Sequence, residues 1–161
     1  MHDIVLLLLF IVTIVILIVS LVYISKASTS IGDTKDPNLL QAYTYLAWTS
    51  GILWSLIVVV ILGSIALVVF GPEFLPLFGK TTVYLALFAM IIAIIVIGVM
   101  AAIAASYIGA AANPDLDNIK LAREYSIIAA VVALGSIGVV VLGYFITWHT
   151  SKTNVSENQT E

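Results

Sequence analysis

Two histidines, His2 and His149, sit near the two ends of the chain. Metal binding by imidazole needs further nitrogen, sulfur or carboxylate donors at ligand spacing. Neither histidine has such partners, so the pair is read as interfacial and no metal or cofactor is expected. There are no cysteines, which removes disulfides, thiolate sites and thiol nucleophiles. No serine-histidine-aspartate arrangement and no glycine-rich phosphate loop is present. One charged cluster remains, Lys120, Arg123 and Glu124. Its expected state is a solvated turn with Lys120 and Glu124 paired four residues apart. Its functional alternative is a docking site for a soluble partner. The chemistry available is therefore recognition, not turnover, and no enzyme is expected.

The rest of the chain explains why charge is so scarce. Among 161 residues, 62% are hydrophobic and 9% are charged, against about 25% in a soluble domain. The mean hydropathy is +1.19. Neither a water-soluble globule nor a disordered chain has this composition. The net charge of -3 also lacks the basic stripe of a nucleic-acid binder.

Crossing about 30 Å of hydrocarbon takes roughly 20 apolar residues. Four segments qualify, at about 4–24, 46–70, 83–108 and 126–148. None alternates as barrel strands do. The expected fold is all-α, a four-helix transmembrane bundle in a single domain over 1–149. A polar disordered tail is expected at 150–161. The first segment lacks the basic start of a secretory signal and is read as a retained span.

Local residues set the expected boundaries. Asp36 with Pro37 reads as an N-cap and first helical residue. Gly71-Pro72 ends the second helix. Thr81 or Thr82 caps the third. Asn113-Pro114 stops the third and starts the fourth, with Asp117 as the alternative cap. A helix from Pro37 to Phe70 would be about 51 Å long at 1.5 Å per residue. The second and fourth helices are thus expected to project beyond the bilayer on one side. The connector 71–80, with Phe74, Leu75, Leu77 and Phe78, is expected in the interface.

No Asp, Glu, Lys, Arg or His lies inside the four apolar cores. Such residues are the usual mark of an ion or proton path. Small residues carry the main positive signal, because small faces let membrane helices approach closely. Gly98, Ala102, Ser106 and Ala110 recur every four residues on the third helix. Ala130, Gly135 and Gly138 lie on the fourth, with Ser126 and Ala133 beside them. These are the expected helix-packing residues, within the chain or in a homo-oligomer. The second hairpin should then be the tight core, and the first helix should face more lipid. Tyrosines and tryptophans fall in two belts at headgroup depth. Trp54 lies about 9 Å deeper than Trp48 and is expected to pack between helices.

The halves also resemble each other. Tyr23-Ile24 matches Tyr107-Ile108 at an offset of about 84, and Ala42 to Tyr45 matches Ala122 to Tyr125 at about 80. Leu62-Gly63 matches Leu142-Gly143 at the same shift. A two-helix unit used twice would give parallel repeats about an axis along the membrane normal. That plan is similar to the rotor proteolipids of vacuolar-type ATPases. The likeness stops at the residues, since those proteins need a carboxylate within a span and this chain has none there.

Lys26, Lys35, Lys120 and Arg123 lie on one side of the membrane, and Lys80 and Lys152 on the other. The positive-inside rule puts the first group in the cytoplasm and both termini on the non-cytoplasmic side. The sequons at Asn154 and Asn158 are candidate glycosylation sites on that side. The expected function is a structural, assembly or anchoring role in a membrane or membrane complex, cellular, organellar, bacterial or the internal membrane of a virion. Its expected partners are the lipid bilayer and other membrane proteins, including copies of itself. The alternative is an oligomeric channel lined by hydroxyls from among Thr13, Ser20, Thr49, Ser50, Ser55, Ser64, Ser106, Ser136 and Thr147.

Overall fold

The computed structural model describes residues 2–70 and 79–157. Four helices account for nearly all of them. They are α1 (His2–Ile31), α2 (Pro37–Phe70), α3 (Gly79–Gly109) and α4 (Asp117–Glu157). Each contains a stretch long and apolar enough to cross a membrane, namely Ile11–Ile31, Pro37–Ala66, Phe88–Gly109 and Asp117–Leu142. The chain is an integral, multi-pass membrane protein. The helices run alternately up and down, and each packs on its two neighbours in ring order, α4 closing back onto α1.

The inward residues recur with a strict heptad rhythm. On α1 they are Thr13, Leu17, Ser20, Ile24, Ala27 and Ile31, spaced four and three in turn. On α4 they include Ile119, Ala122, Ser126, Ala129, Ala133 and Ser136, spaced three and four. A period of 3.5 keeps one seam facing its partner when helices cross at about +20°, as in left-handed bundles. Lipid is as apolar as leucine, so burial gives no hydrophobic gain here. Cohesion comes from dispersion, which rewards small residues that let backbones approach. Three of the buried hydroxyls, those of Thr49, Ser126 and Ser136, are satisfied within their own helix. Thr49 donates to the Tyr45 carbonyl at 2.7 Å, and Ser126 to Ala122 at 3.0 Å. Ser20 reaches across to the Ala129 carbonyl at 3.2 Å and joins α1 to α4.

The ends of the elements match the sequence in part. α2 starts at Pro37 as expected and is described to Phe70, and its expected stop at Gly71-Pro72 lies outside the described residues. Asp36 caps it, with its Oδ1 accepting the Asn38 amide at 2.9 Å and its carbonyl accepting Leu40 N–H at 3.0 Å. α3 is helical from Gly79, the first residue described there, so Thr81 and Thr82 lie within the helix and do not precede it. α4 starts at Asp117, with the Leu116 carbonyl accepting the Lys120 amide at 2.9 Å. Leu116 therefore occupies the cap position, not Asn113 or Asp117. The helix also runs on to Glu157, into the segment read as a disordered tail. No Gly or Pro interrupts 144–157, and extending a helix costs far less than starting one.

The spans of α3 and α4 are the more buried, 33% of each against 28% for α1 and 22% for α2, while α1 makes with α4 the most extensive helix contact. Other packing expectations differ from the structure. The stripe of small residues on α3 is not the packed face. Gly98 is buried against α4, but Ala102, Ser106 and Ala110 are exposed. Each step of four residues advances about 40° around a helix, so the stripe turns steadily out of the seam. On α4 Gly135 and Gly138 are exposed too, while Ala130 is buried. Trp54, next to the inward Leu53, is 57% exposed and faces outward.

Candidate functional site

Polar chemistry collects at one end of the bundle, where the segments joining α1 to α2 and α3 to α4 lie side by side. Gly32, with a φ of 62°, takes the left-handed conformation that ends α1. The chain then reaches Thr34, whose Oγ1 accepts the Asp36 amide at 3.1 Å. That bond helps orient Asp36. One carboxylate oxygen caps α2, and the other, Oδ2, accepts the Ala112 amide at 2.7 Å from the other segment. One side chain thus closes a helix end and ties two hairpins together. The Ala112 amide is the main reason its carboxyl is held below the usual carboxylate range. Burial opposes this, and the capping amides of Asn38 and Leu39 add to it.

Two asparagines complete the tie. Asn38 Nδ2 donates to the Ala110 carbonyl at 2.7 Å, just beyond the end of α3. Asn118 Nδ2 donates to the Ser30 carbonyl at 3.2 Å, in the last turn of α1. Terminal carbonyls lack partners within their own helix, and here a neighbouring helix supplies them. Between the two segments lies an open cleft of about 620 Å³, whose walls include Ile31, Asp33, Asp36, Asn113, Leu116 and Asn118.

Four tyrosines lie below this clasp in two pairs. The Tyr23 and Tyr125 rings are 5.9 Å apart and tilted by 44°. The Tyr45 and Tyr107 rings are stacked at 5.7 Å and 16°. Lys26 places its ammonium 5.9 Å from the Tyr23 ring and 5.7 Å from the Tyr125 ring. A cation over aromatic faces at such an exposed site contributes on the order of 0.5–1 kcal/mol.

The charged cluster expected from the sequence is at this end, but its members diverge. Lys120 pairs with Asp115 at 3.6 Å, not with Glu124. Both partners are exposed, so this pair adds little stability. Arg123 lies along Gly109 of α3, where a Cβ would come within 3.3 Å of its Cζ and Nε. Glu124 is exposed. The three share the first two turns of α4 without forming a common pocket.

The hydroxyls considered for a pore do not share a face. Thr13, Ser20, Thr49 and Ser136 point into the packed interior, and Ser55 and Ser106 point outward. Ser50 and Ser64 are half-buried. Thr147, the side chains of His2, His149, Tyr144, Phe145 and Trp148, and the connector residues Phe74, Leu75, Leu77 and Phe78 lie outside what is described. Asn154 falls within α4, and Asn158 lies outside the described residues.

The clasp was not foreseen beyond the capping role of Asp36. One signal was present: Pro37-Asn38 and Asp117-Asn118 each put an asparagine at the second position of a helix. No protein-family model, no curated protein and no solved structure matches the chain.

Proposed function

We propose that this protein is a non-catalytic structural or anchoring component of a membrane or membrane complex, in a cell or in the internal membrane of a virion. The observation that carries the reading is the clasp. Asp36, Asn38 and Asn118 bind two hairpins into one polar end that stands on a closely packed membrane bundle. Each of these groups is used to hold the chain in shape. A fixed polar surface on a membrane base suits an anchor, which must present residues to partners without rearranging. The exposed charges of Lys120 and Glu124 are the docking positions in this reading. Lys26, Lys35, Lys120 and Arg123 all belong to the clasp end, so the positive-inside rule turns it to the cytoplasm.

Gentle detergent extraction followed by native mass spectrometry of the intact assembly tests the proposal. Capture of a different protein is expected, and its loss in a Lys120→Ala, Glu124→Ala double variant would place the contact. A closed homo-oligomer that conducts ions in planar bilayers would replace the anchor reading with a pore.

A further inference from the structure

We infer that the chain is one helical hairpin used twice, with α1–α2 and α3–α4 related by a half-turn about an axis parallel to the helices. The inner face of each hairpin is then a surface built to take a second hairpin of its own kind. The inference stands independently of the anchor reading.

Sequence identities alone set the two offsets: 84 from Tyr23-Ile24 and Tyr107-Ile108, and 80 from Tyr45 and Tyr125. Burial was not used to choose them, yet it follows them. Thr13, Leu17, Ser20, Ile24 and Ala27 are buried on α1, and their counterparts Ile97, Ala101, Ala104, Ile108 and Ala111 are buried too. Leu39, Ala42, Leu46, Thr49 and Leu53 on α2 map in the same way onto Ile119, Ala122, Ser126, Ala129 and Ala133, again all buried. Two helices with one buried stripe each agree in phase by chance about once in 3.6 trials, so burial by itself is modest support.

The contacts between helices add what phase cannot. The half-turn carries the Tyr23–Tyr125 pair onto Tyr107–Tyr45, and both ring pairs exist. It carries Asn38 onto Asn118. Each of these asparagines donates from the second position of its helix to a carbonyl at the end of the helix across the seam. The α1–α4 and α2–α3 seams are thus versions of one interface.

The repeat also implies a size code. The Ser20–Ala129 bond sets the antiparallel register of α1 and α4, and that register brings Leu17 level with Ala133. The half-turn makes the equivalent pair Ala101 and Leu53. In each seam a large residue of the first hairpin meets a small one of the second, the large one coming from the first helix of its hairpin in one seam and from the second helix in the other.

Exchange of the inward side chains tests this in the full-length protein. Swapping the five α2 residues named above with the five of α4 would set Leu against Leu in one seam and Ala against Ala in the other. A large fall in the detergent melting temperature is expected. Adding the matching swap between α1 and α3 restores every pairing, rotated by a half-turn, and should recover at least half of that fall. A double exchange no more stable than the single one, or a single exchange without loss, would overturn the inference. The absence of native cysteine permits a second test. Ser20→Cys with Ala129→Cys, and separately Thr49→Cys with Ala104→Cys, should cross-link to similar extents on mild oxidation. Failure of the second pair would also overturn it.

Discussion

Asp36 is the residue on which most of the polar end depends. It accepts amides from Asn38 and Ala112, which are far apart in the chain, with one carboxylate. Its folded pKa is lowered, so its contribution is fully present above the unfolded carboxylate value of about 3.9. That contribution is lost as pH falls through the folded value. Hydrogen exchange should therefore accelerate at the Ala112 and Asn38 amides on strong acidification, while the Ala129 amide, in the buried α1–α4 seam, stays protected. Asp36→Ala should produce the same local acceleration at neutral pH. Equal acceleration along α4 would mean that the bond is not a local clasp. The sequence made the cap readable because Asp-Pro at a helix start is a short-range signal. The second role was not readable, since Ala112 lies 76 residues away.

The helices were legible as spans but not as faces. Of their ends, the start of α2 was legible in Asp36-Pro37, whereas the stop of α1 at Ile31, before Gly32 and about seven residues past the expected end of the span, was not. An inner face normally shows as a contrast between apolar and polar sides. Here both sides are apolar, and the inner face itself mixes large residues such as Leu17, Leu46 and Ile108 with small ones, so no contrast in residue type marks it. The stripe from Gly98 to Ala110 follows a spacing of four, so only its first residue meets the bundle. Two substitutions separate the readings. Gly98→Leu should cost about 1–3 kcal/mol through overpacking against Leu134. Ala102→Leu should change monomer stability by no more than about 0.5 kcal/mol. If Ala102→Leu dissolves a homo-oligomer while the melting of the monomer holds, the exposed stripe is a contact between copies. Both values can be read from reversible unfolding in mixed micelles.

At the scale of the whole molecule, the tyrosine pairs offer a position along the membrane normal. From Tyr23, Tyr45, Tyr107 and Tyr125, about 20 residues of helix, or 30 Å, lead toward Asp3, Ile65, Leu87 and Phe145. Tyrosine suits headgroup depth, so the four rings are expected at one boundary and the clasp beyond it. Spin labels at positions 43 and 121 should report water on the clasp side, and a label at position 58 should report oxygen-rich lipid. A label at 43 buried in lipid would move the boundary and remove the raised polar end. The number of spans was plain from composition because crossing a bilayer demands it. The ring order of the helices was not, because four uniformly apolar helices can be arranged in more than one way.

The clasp also has a mechanical consequence. Hairpins in a multi-span protein are commonly free to leave a bilayer one at a time when pulled from one terminus. Here the start of α2 is fastened to the end of α3, and the start of α4 to the end of α1, so the fastenings cross between hairpins. Force applied at the C-terminus loads the second hairpin first but reaches these bonds before α4 can slide out alone. A stretching tip should therefore record one large rupture for the two hairpins together, and Asn38→Ala with Asn118→Ala should split it into two smaller ones.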